Sequence, residues 1–257
     1  MSTVLITGAS SGIGLELAKV FAQQKHSIIL VARSKSKLEA LAEVLRQTGV
    51  EVHLLVKDLS SNQSAVEVFD WCNQHGVVVD YLVNNAGFGD FGFFHESNWT
   101  KQEQMINLNI TTLTQLTHLF LPQMVKRKSG KIMNVASTAA FQPGPTMSVY
   151  YATKAYVLHF TEAISNELKG TGVTVTALCP GATESGFQLA AAMEESKLVK
   201  GKNLPSSMDV AVYGYKAMMN GKTVAVHGFM NSIMATGYRF LPRKWIVQVT
   251  RMIQDKK

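Results

Sequence analysis

The stretch "TVLITGASSGIG", residues 3 to 14, joins a short apolar run to a glycine-rich segment. The apolar run predicts a buried strand, and the periodic apolar residues after the glycines predict a helix. Glycine lets the backbone turn tightly and approach a phosphate closely, and a helix N-terminus adds N–H donors and a partial positive charge. The stretch therefore favours a nucleotide-binding loop over a glycine-rich turn that only packs. The candidate loop residues are Gly8, Ser10, Ser11, Gly12, Ile13 and Gly14.

Six further apolar runs follow, and segments with helical periodicity lie between them. The runs span Ser27 to Ala32, Glu51 to Val56, Val79 to Asn84, Lys131 to Ala136, Val173 to Leu178 and Lys222 to His227. Strands that are apolar on both faces and alternate with helices predict an α/β fold with a parallel sheet covered on both sides. Right-handed crossovers then give a doubly wound, Rossmann-type domain with a ligand crevice at the C-terminal ends of the strands.

The residue after the second strand bears on which dinucleotide is bound. An enzyme that prefers NAD usually carries an acidic residue there, which binds the ribose 2′-hydroxyl. The segment "VARSKSK" has no acid at Ala32, Arg33 or Ser34. Arg33 offers a guanidinium that suits a 2′-phosphate. The sequence therefore favours NADP(H), with NAD(H) as the alternative and a merely solvent-exposed arginine as the non-functional interpretation.

Composition and charge exclude several classes of protein. The chain is 46% hydrophobic and 17% charged, which is typical of a packed domain and not of a disordered chain. The net charge is +7, but the cations are spread along the chain, so we expect no nucleic-acid partner. Cys72 and Cys179 form neither a metal-binding pattern nor a disulfide framework, so no metal is expected. With no charged leader and no spanning apolar run, we expect a cytoplasmic protein.

Several motifs in the chain, taken in order, resemble those of the short-chain dehydrogenase/reductase family. They are the glycine loop, "DLS" at Asp58 to Ser60, "NNAG" at Asn84 to Gly87, a segment around Ser137, "YYATK" at Tyr150 to Lys154 and "PG" at Pro180 and Gly181. The resemblance runs from Thr3 to about Val226. It implies one Rossmann-type domain with a seven-stranded parallel sheet, and hydride transfer between a nicotinamide and a carbonyl or alcohol.

The resemblance also implies positions that contact the cofactor. Asp58, with Leu59 beside it, would contact the adenine, and the segment after the fourth strand would border the cofactor. Either Thr183 or Ser185 would contact the nicotinamide amide, and Lys154 would hold the nicotinamide ribose. The implied cofactor-binding residues beyond the glycine loop and Arg33 are Asp58, Leu59, Asn85, Ala86, Gly87, Tyr150, Lys154, Pro180, Gly181, Thr183 and Ser185.

Two adjacent tyrosines precede Lys154, and helical spacing alone does not choose between them. The family pattern Y-x-x-x-K selects Tyr150 over Tyr151. The family's catalytic serine lies thirteen residues before the tyrosine, and that position holds Ser137. The family's helical asparagine matches Asn109 in "LNITT", with Asn107 as the rival.

The chemistry explains why these residue types are needed. Reduction of a ketone requires a hydride on carbon and a proton on oxygen. A free tyrosine has a pKa near 10, so we expect the Lys154 ammonium and an oxidised nicotinamide to lower the pKa of Tyr150. Ser137 would polarise the carbonyl oxygen. Asn109 would hold a water that links Lys154 to solvent.

Apolar residues near these motifs predict a pocket for a bulky or acyl-chain carbonyl, although ordinary packing would explain them too. They are the aromatic residues of "GFGDFGFF" (residues 87 to 94), Phe141, Met147, Phe187, Leu189 and Met193. The sequence thus favours an NADP(H)-dependent oxidoreductase acting on a small-molecule carbonyl or secondary alcohol. A 3-ketoacyl thioester reductase and a non-catalytic NADPH-binding sensor are the alternatives.

We expect one dinucleotide-binding and catalytic domain over residues 1–257, with a substrate lid near 183–205 and a C-terminal tail near 228–257. The resemblance implies a homodimer or homotetramer. The end of the tail, from Arg243, is basic and amphipathic. A packed terminal helix or a subunit contact is favoured there over contact with a membrane surface, so membrane contact is not expected.

Overall fold

The computed structural model describes residues 2–187, 191 and 203–254, which contain a seven-stranded parallel sheet in the order β3-β2-β1-β4-β5-β6-β7. The strands are β1 Thr3–Thr7, β2 Ser27–Ala32, β3 Val52–Val56, β4 Tyr81–Asn84, β5 Gly130–Val135, β6 Val173–Cys179 and β7 Val224–Val226. Each of the seven predicted runs overlaps one of these strands, with ends shifted by at most two residues. The parallel α/β fold is therefore confirmed.

Helices connect the strands and cover both faces of the sheet. They are α1 Gly12–Gln23, α2 Lys35–Arg46, α3 Ser64–Gln74, α4 Trp99–Ile106, α5 Leu113–Arg127, α6 Ser148–Glu167, α7 Ser207–Met219, α8 Phe229–Gly237 and α9 Arg243–Gln254. A π-helical turn, Asn107–Thr112, joins α4 to α5, and a short 3₁₀ turn, Tyr238–Phe240, lies between α8 and α9. Within the described ranges, no helix is long and apolar enough to cross a membrane.

The core lies in two layers, one on each side of the sheet. Alternate residues of β1 point to opposite sides, so that Val4 and Ile6 pack with α1, α2 and α7, whereas Leu5 packs with α3, α5 and α6. The strand order reverses direction between β1 and β4, which are neighbours in the sheet. Connections leave these two strands towards opposite sides, and this arrangement opens a crevice at their C-terminal ends.

A buried polar network ties the centre of the sheet to the helices on one face. Asn134 on β5 accepts a hydrogen bond from Asn84 Nδ2 on β4 at 2.9 Å and donates to Thr161 Oγ1 on α6 at 3.0 Å. Asn84 Nδ2 also donates to Thr117 Oγ1 on α5 at 3.0 Å. All four side chains are buried. The network therefore fixes β4, β5 and α6 relative to one another; α6 carries Tyr150 and Lys154, and Ser137 lies two residues after β5.

We expect Asn134→Ala to lower the free energy of unfolding by about 3 kcal/mol, because it leaves buried donors and acceptors on Asn84 and Thr161 unpaired. Urea denaturation monitored by circular dichroism measures the change. Asn73→Ala on the exposed side of α3 is the matched control and should change stability by less than about 0.5 kcal/mol. Equal effects of the two substitutions would contradict a structural role for the network.

Candidate active site

A cavity of about 910 Å³ opens at the C-terminal edge of the sheet. Sequence motifs separated by more than 170 residues meet in it. Of the predicted site residues, those that line the cavity are Gly8, Ser10, Ser11, Gly12, Ile13, Arg33, Asp58, Leu59, Asn85, Ala86, Gly87, Ser137, Tyr150, Lys154, Pro180, Gly181, Thr183 and Ser185. Gly14 and Asn109 lie behind its wall.

The glycine loop forms the floor of the cavity between β1 and α1. Gly8 has φ of +66°, and a Cβ there would lie 2.8 Å from the Ala86 Cα, so both the backbone conformation and the space favour glycine. A Cβ on Gly14 would overlap the Asn85 amide and the Gly8 carbonyl. Gly14 therefore lets α1 approach the loop, and its position away from the cavity indicates a packing role.

Thr7 and Asn85 join the ends of β1 and β4. The Thr7 hydroxyl accepts hydrogen bonds from the backbone N–H groups of Asn85 at 2.9 Å and Ala86 at 3.0 Å. The Asn85 Nδ2 donates back to the carbonyl oxygens of Thr7 at 2.9 Å and Gly8 at 3.2 Å. The glycine loop and the loop after β4 are thereby held together. Thr7 was not among the predicted site residues, although it is the first residue of the "TGASSGIG" motif.

Cationic side chains lie at the end of the cavity next to β2 and β3. Arg33 and Lys37 both line it, and both are exposed to solvent. Lys37 was missed in the sequence, although it stands one helical turn after Arg33. For Asp58, partial burial acts to raise the pKa of the carboxyl, but hydrogen bonds from Ser60 and the charge of Arg33 outweigh it, so the pKa is lowered.

The side chains of Ser137 and Tyr150 meet over the end of β5. Burial raises the pKa of the Tyr150 hydroxyl to about 12, and a hydrogen bond with Ser137 acts in the opposite direction. The sequence predicted a lowered pKa, whereas the protein alone raises it, because the phenol is buried and, among the described contacts, no cation lies within hydrogen-bonding distance of it. At neutral pH Tyr150 is therefore a neutral hydrogen-bond donor.

Lys154 is buried beneath Tyr150, one helical turn further along α6. Its Nζ donates a hydrogen bond to the Val135 carbonyl at 2.7 Å and lies 5.8 Å from the centre of the Tyr150 ring. Burial lowers the pKa of its ammonium to about 8. Lys154 thus stands next to the tyrosine, as the spacing predicted, but its proton is anchored on β5.

Asn109 lies in the π-helical turn between α4 and α5, which is a common place for functional residues. Its Oδ1 accepts from the Phe88 N–H at 3.2 Å, and its Nδ2 donates to the Phe88 carbonyl at 3.0 Å and to Thr153 Oγ1 at 3.1 Å. The side chain therefore fastens the loop after β4 to α6. Asn107, the rival, is half-buried and does not line the cavity.

Tyr151 closes the far side of the cavity together with the C-terminal helix. Its hydroxyl accepts a hydrogen bond from Gln254 Nε2 on α9, and both residues line the cavity. Residues of the C-terminal segment were missed as part of the site, because they stand about 100 positions away and carry no motif. Those that line the cavity are Asn231, Met234, Ala235, Tyr238, Thr250, Ile253 and Gln254.

The predicted apolar pocket is confirmed only in part. Phe88, Met147 and Phe187 line the cavity, and the Phe187 ring lies 5.2 Å from that of Tyr150. Phe141 instead packs with the core around α6, and Phe91 packs beside the cavity without lining it.

Phe93 and Phe94, from the same predicted aromatic stretch, are exposed and do not line the cavity. Leu189, Met193 and most of the predicted lid lie outside the described residues. Thr183 and Ser185 both line the cavity, so the choice between them stays open.

The shape and chemistry of the cavity fit a nicotinamide dinucleotide. The glycine floor lies at the N-terminus of α1, where backbone N–H groups and the helix dipole suit a pyrophosphate. The cationic end near Arg33 and the end near Tyr150 lie in one continuous cavity. The cavity therefore offers polar groups from the Arg33 end to the Tyr150 end, and its wall near Phe187 is apolar.

Comparison with known proteins agrees with this fit. A family model described as short chain dehydrogenase matches residues 2–196. The ketoacyl reductase HetN of Nostoc sp. is 32% identical over 225 residues, which are 87% of this chain and 77% of that protein.

Two solved structures share the fold over almost the whole chain. A short-chain dehydrogenase from Sphingobium yanoikuyae in complex with NADPH is 32% identical, with a TM-score of 0.83 and coverage of 93% of this chain and 94% of that chain. A short-chain dehydrogenase/reductase from Burkholderia phymatum in complex with NAD is 25% identical, with a TM-score of 0.82 and coverage of 100% and 97%.

The buried ammonium of Lys154 should cost stability at neutral pH. The folded pKa of about 8 lies below the unfolded value of 10.5, so between these values the unfolded chain binds more protons and stability rises with pH. We expect Lys154→Met to be more stable than the wild type at neutral pH by about 2 kcal/mol, which is the ionisation cost less the lost hydrogen bond to Val135.

The advantage of the variant should shrink as the pH rises through this window, and urea denaturation across a pH series measures it. Lys169→Met, which replaces an exposed lysine at the end of α6, should show no such trend. A difference between Lys154→Met and wild type that does not change with pH would contradict the lowered pKa.

Proposed function

The chain belongs to the short-chain dehydrogenase/reductase family of oxidoreductases, and we propose that it is an NADP(H)-dependent enzyme that interconverts an apolar carbonyl compound and its secondary alcohol. The observation that carries this proposal is the meeting of Ser137, Tyr150 and Lys154 with the glycine loop in one cavity. A hydride donor bound along the loop would reach the same space as the proton donor.

Tyr150 would supply the proton in the direction of reduction. Its pKa of about 12 keeps the hydroxyl protonated at neutral pH, so it can donate to the carbonyl oxygen as negative charge develops there. The Ser137 hydroxyl would hydrogen-bond the same oxygen and stabilise that charge. The nicotinamide, when bound, supplies the hydride to the carbonyl carbon, so the C=O group becomes a CH–OH group.

Lys154 would favour loss of the Tyr150 proton by placing a positive charge beside the ring, and its pKa of about 8 lets it take up a proton near neutral pH. The same Nζ would hold the nicotinamide ribose. Asn109 would position the site by fastening Phe88 and Thr153. Its predicted part in holding a water stays a prediction.

A preference for NADP(H) is supported by charge at the end of β2. Arg33 and Lys37 together offer two cations to a ribose 2′-phosphate, and no acidic residue follows β2 to bind the 2′-hydroxyl of NAD. Solved relatives hold either NADPH or NAD, so the argument for this chain rests on its own side chains.

An apolar substrate is supported by Phe88, Met147 and Phe187 in the cavity wall. Reduction of a 3-ketoacyl thioester is the second candidate, favoured by the similarity to a ketoacyl reductase. A non-catalytic NADPH sensor is disfavoured because the predicted catalytic residues are all present. The single domain over residues 1–257, a cytoplasmic location and assembly into a homodimer or homotetramer stay predictions from the sequence.

The primary test measures oxidation of NADPH and NADH, side by side, against a panel of bulky ketones, small aldehydes and 3-ketoacyl thioesters. Turnover of bulky ketones with NADPH supports the proposal. Turnover of 3-ketoacyl thioesters alone favours the second candidate, and tight cofactor binding without turnover of any carbonyl or alcohol favours the sensor.

We expect Tyr150→Phe to lower kcat for carbonyl reduction by at least about 1000-fold, because the proton donor is removed while the ring is retained. The affinity for NADPH, measured by fluorescence titration, should change little. Tyr151→Phe is the matched control and should retain most of the activity. Comparable loss in both variants would reject the assignment of Tyr150.

The double variant Arg33→Ala/Lys37→Ala should weaken binding of NADPH by about 10- to 100-fold through loss of charge-assisted hydrogen bonds to the 2′-phosphate. Binding of NADH should stay within about twofold. Lys35→Ala is the control, because Lys35 is exposed on the same turn but does not line the cavity. An equal loss for both cofactors would show that the two cations do not recognise the 2′-phosphate.

A further inference from the structure

The exposed apolar side chains of the described residues are concentrated at the C-terminal end. Eleven of the eighteen large hydrophobic residues that are exposed fall within the last 26 described positions. They are Phe229, Met230, Ile233, Met234, Phe240, Leu241, Trp245, Val247, Val249, Met252 and Ile253. Isolated exposed apolar residues are ordinary on protein surfaces, whereas a contiguous apolar patch marks an interaction surface.

Helix α9 shows how this surface is organised. One side of the helix is buried and carries Ile246, Thr250 and Gln254 at four-residue spacing. At 100° per residue, the apolar residues Trp245, Val249, Met252 and Ile253 fall on one exposed stripe next to the buried side. The cations Lys244 and Arg251 fall on the opposite flank, and Arg243, the exposed first residue of the helix, is in line with the buried side. The helix therefore has a packed side, an exposed apolar stripe and a basic flank.

The charge of this region has one sign. No aspartate or glutamate occurs from Val210 to Gln254, a stretch that includes α7, β7, α8 and α9. The cations in the same stretch are Lys216, Lys222, Arg239, Arg243, Lys244 and Arg251. A surface that combines exposed apolar side chains with cations suits a partner that has an apolar interior and an anionic exterior.

We propose that the exposed apolar and basic side chains of Phe229–Gln254, here called the C-terminal face, dock on the surface of an anionic lipid bilayer. The apolar stripe inserts at the boundary of headgroups and acyl chains, and the arginines and lysines bind the lipid headgroups. Helices α8 and α9 lie along the bilayer plane and do not cross it.

A second copy of the chain fits this face less well. A two-fold contact through the face would add the cations of both copies to one interface, and no carboxylate of residues 229–254 could neutralise them. An anionic bilayer supplies both negatively charged headgroups for the cations and acyl chains for the exposed apolar side chains.

The C-terminal face is continuous with the mouth of the cavity. Met234 on α8 and Ile253 on α9 are both exposed and both line the cavity. The Arg251 guanidinium lies 4.9 Å from the centre of the Phe93 ring, so the exposed Phe93 and Phe94 of the loop after β4 extend the surface. Docking would therefore place the opening of the cavity close to the bilayer.

The test is flotation of the full chain with vesicles of phosphatidylcholine alone and vesicles that also contain phosphatidylglycerol. We expect binding to the anionic vesicles, weak binding to the neutral ones, and release at high salt. The double variant Trp245→Gln/Met252→Gln should lose binding by about tenfold or more, because it removes the two most exposed apolar side chains of α9. Arg243→Glu/Lys244→Glu should lose binding to anionic vesicles as well.

Trp99→Gln is the matched control, because Trp99 on α4 is as exposed as Trp245, at 62% for each, but lies outside the C-terminal face. This control and wild type should bind equally. Absence of binding to anionic vesicles, or equal binding by Trp245→Gln/Met252→Gln, would overturn the proposal. Dissociation of an oligomer by that variant, seen in analytical ultracentrifugation, would overturn it in favour of a second copy.

Thermal melting of each variant, followed by circular dichroism, shows whether the fold is retained. We expect it to be retained, because the substituted side chains are exposed. The result is independent of the proposed catalytic activity, since flotation needs neither cofactor nor substrate.

Discussion

The hydrogen bonds between Thr7 and Asn85 are the constraint on which the site depends. They join the ends of β1 and β4 at the point where the connections leave the sheet in opposite directions. The glycine loop follows Thr7, and the loop that leads to Phe88 and Asn109 follows Asn85. Because both loops start from one fixed junction, the floor of the cavity and its catalytic wall keep a defined separation, which a hydride transfer requires.

Burial acts on Tyr150 and Lys154 in the same sense, because a buried environment disfavours the charged form of each side chain. It raises the pKa of the phenol and lowers that of the ammonium. The protein thereby keeps the proton on the Tyr150 hydroxyl, and it makes the Lys154 ammonium a stronger acid than a free lysine. A pair with these pKa values suits proton donation to a carbonyl, and burial of the Lys154 ammonium costs stability at neutral pH.

The sequence predicted what depends on local pattern and failed where tertiary packing decides. All seven strands followed from apolar runs, whereas the choice of Tyr150 over Tyr151 rests on the family pattern and stays a prediction. The sequence does not show which way an aromatic side chain points, so Phe141, Phe93 and Phe94 were assigned to a pocket that they do not line. The bond between Tyr151 and Gln254 joins residues 103 positions apart, and only the path of the chain after β7 brings them together.

The C-terminal helix shows why packing and surface binding need not be alternatives. The basic, amphipathic tail suggested either a packed helix or a membrane contact. In α9 one side is buried and the other side stays exposed, so the helix can pack and bind a surface at the same time. Its inner side holds Tyr151 through Gln254, and its outer stripe remains apolar. A partner that binds the outer stripe would contact α9, the same helix that forms one wall of the cavity.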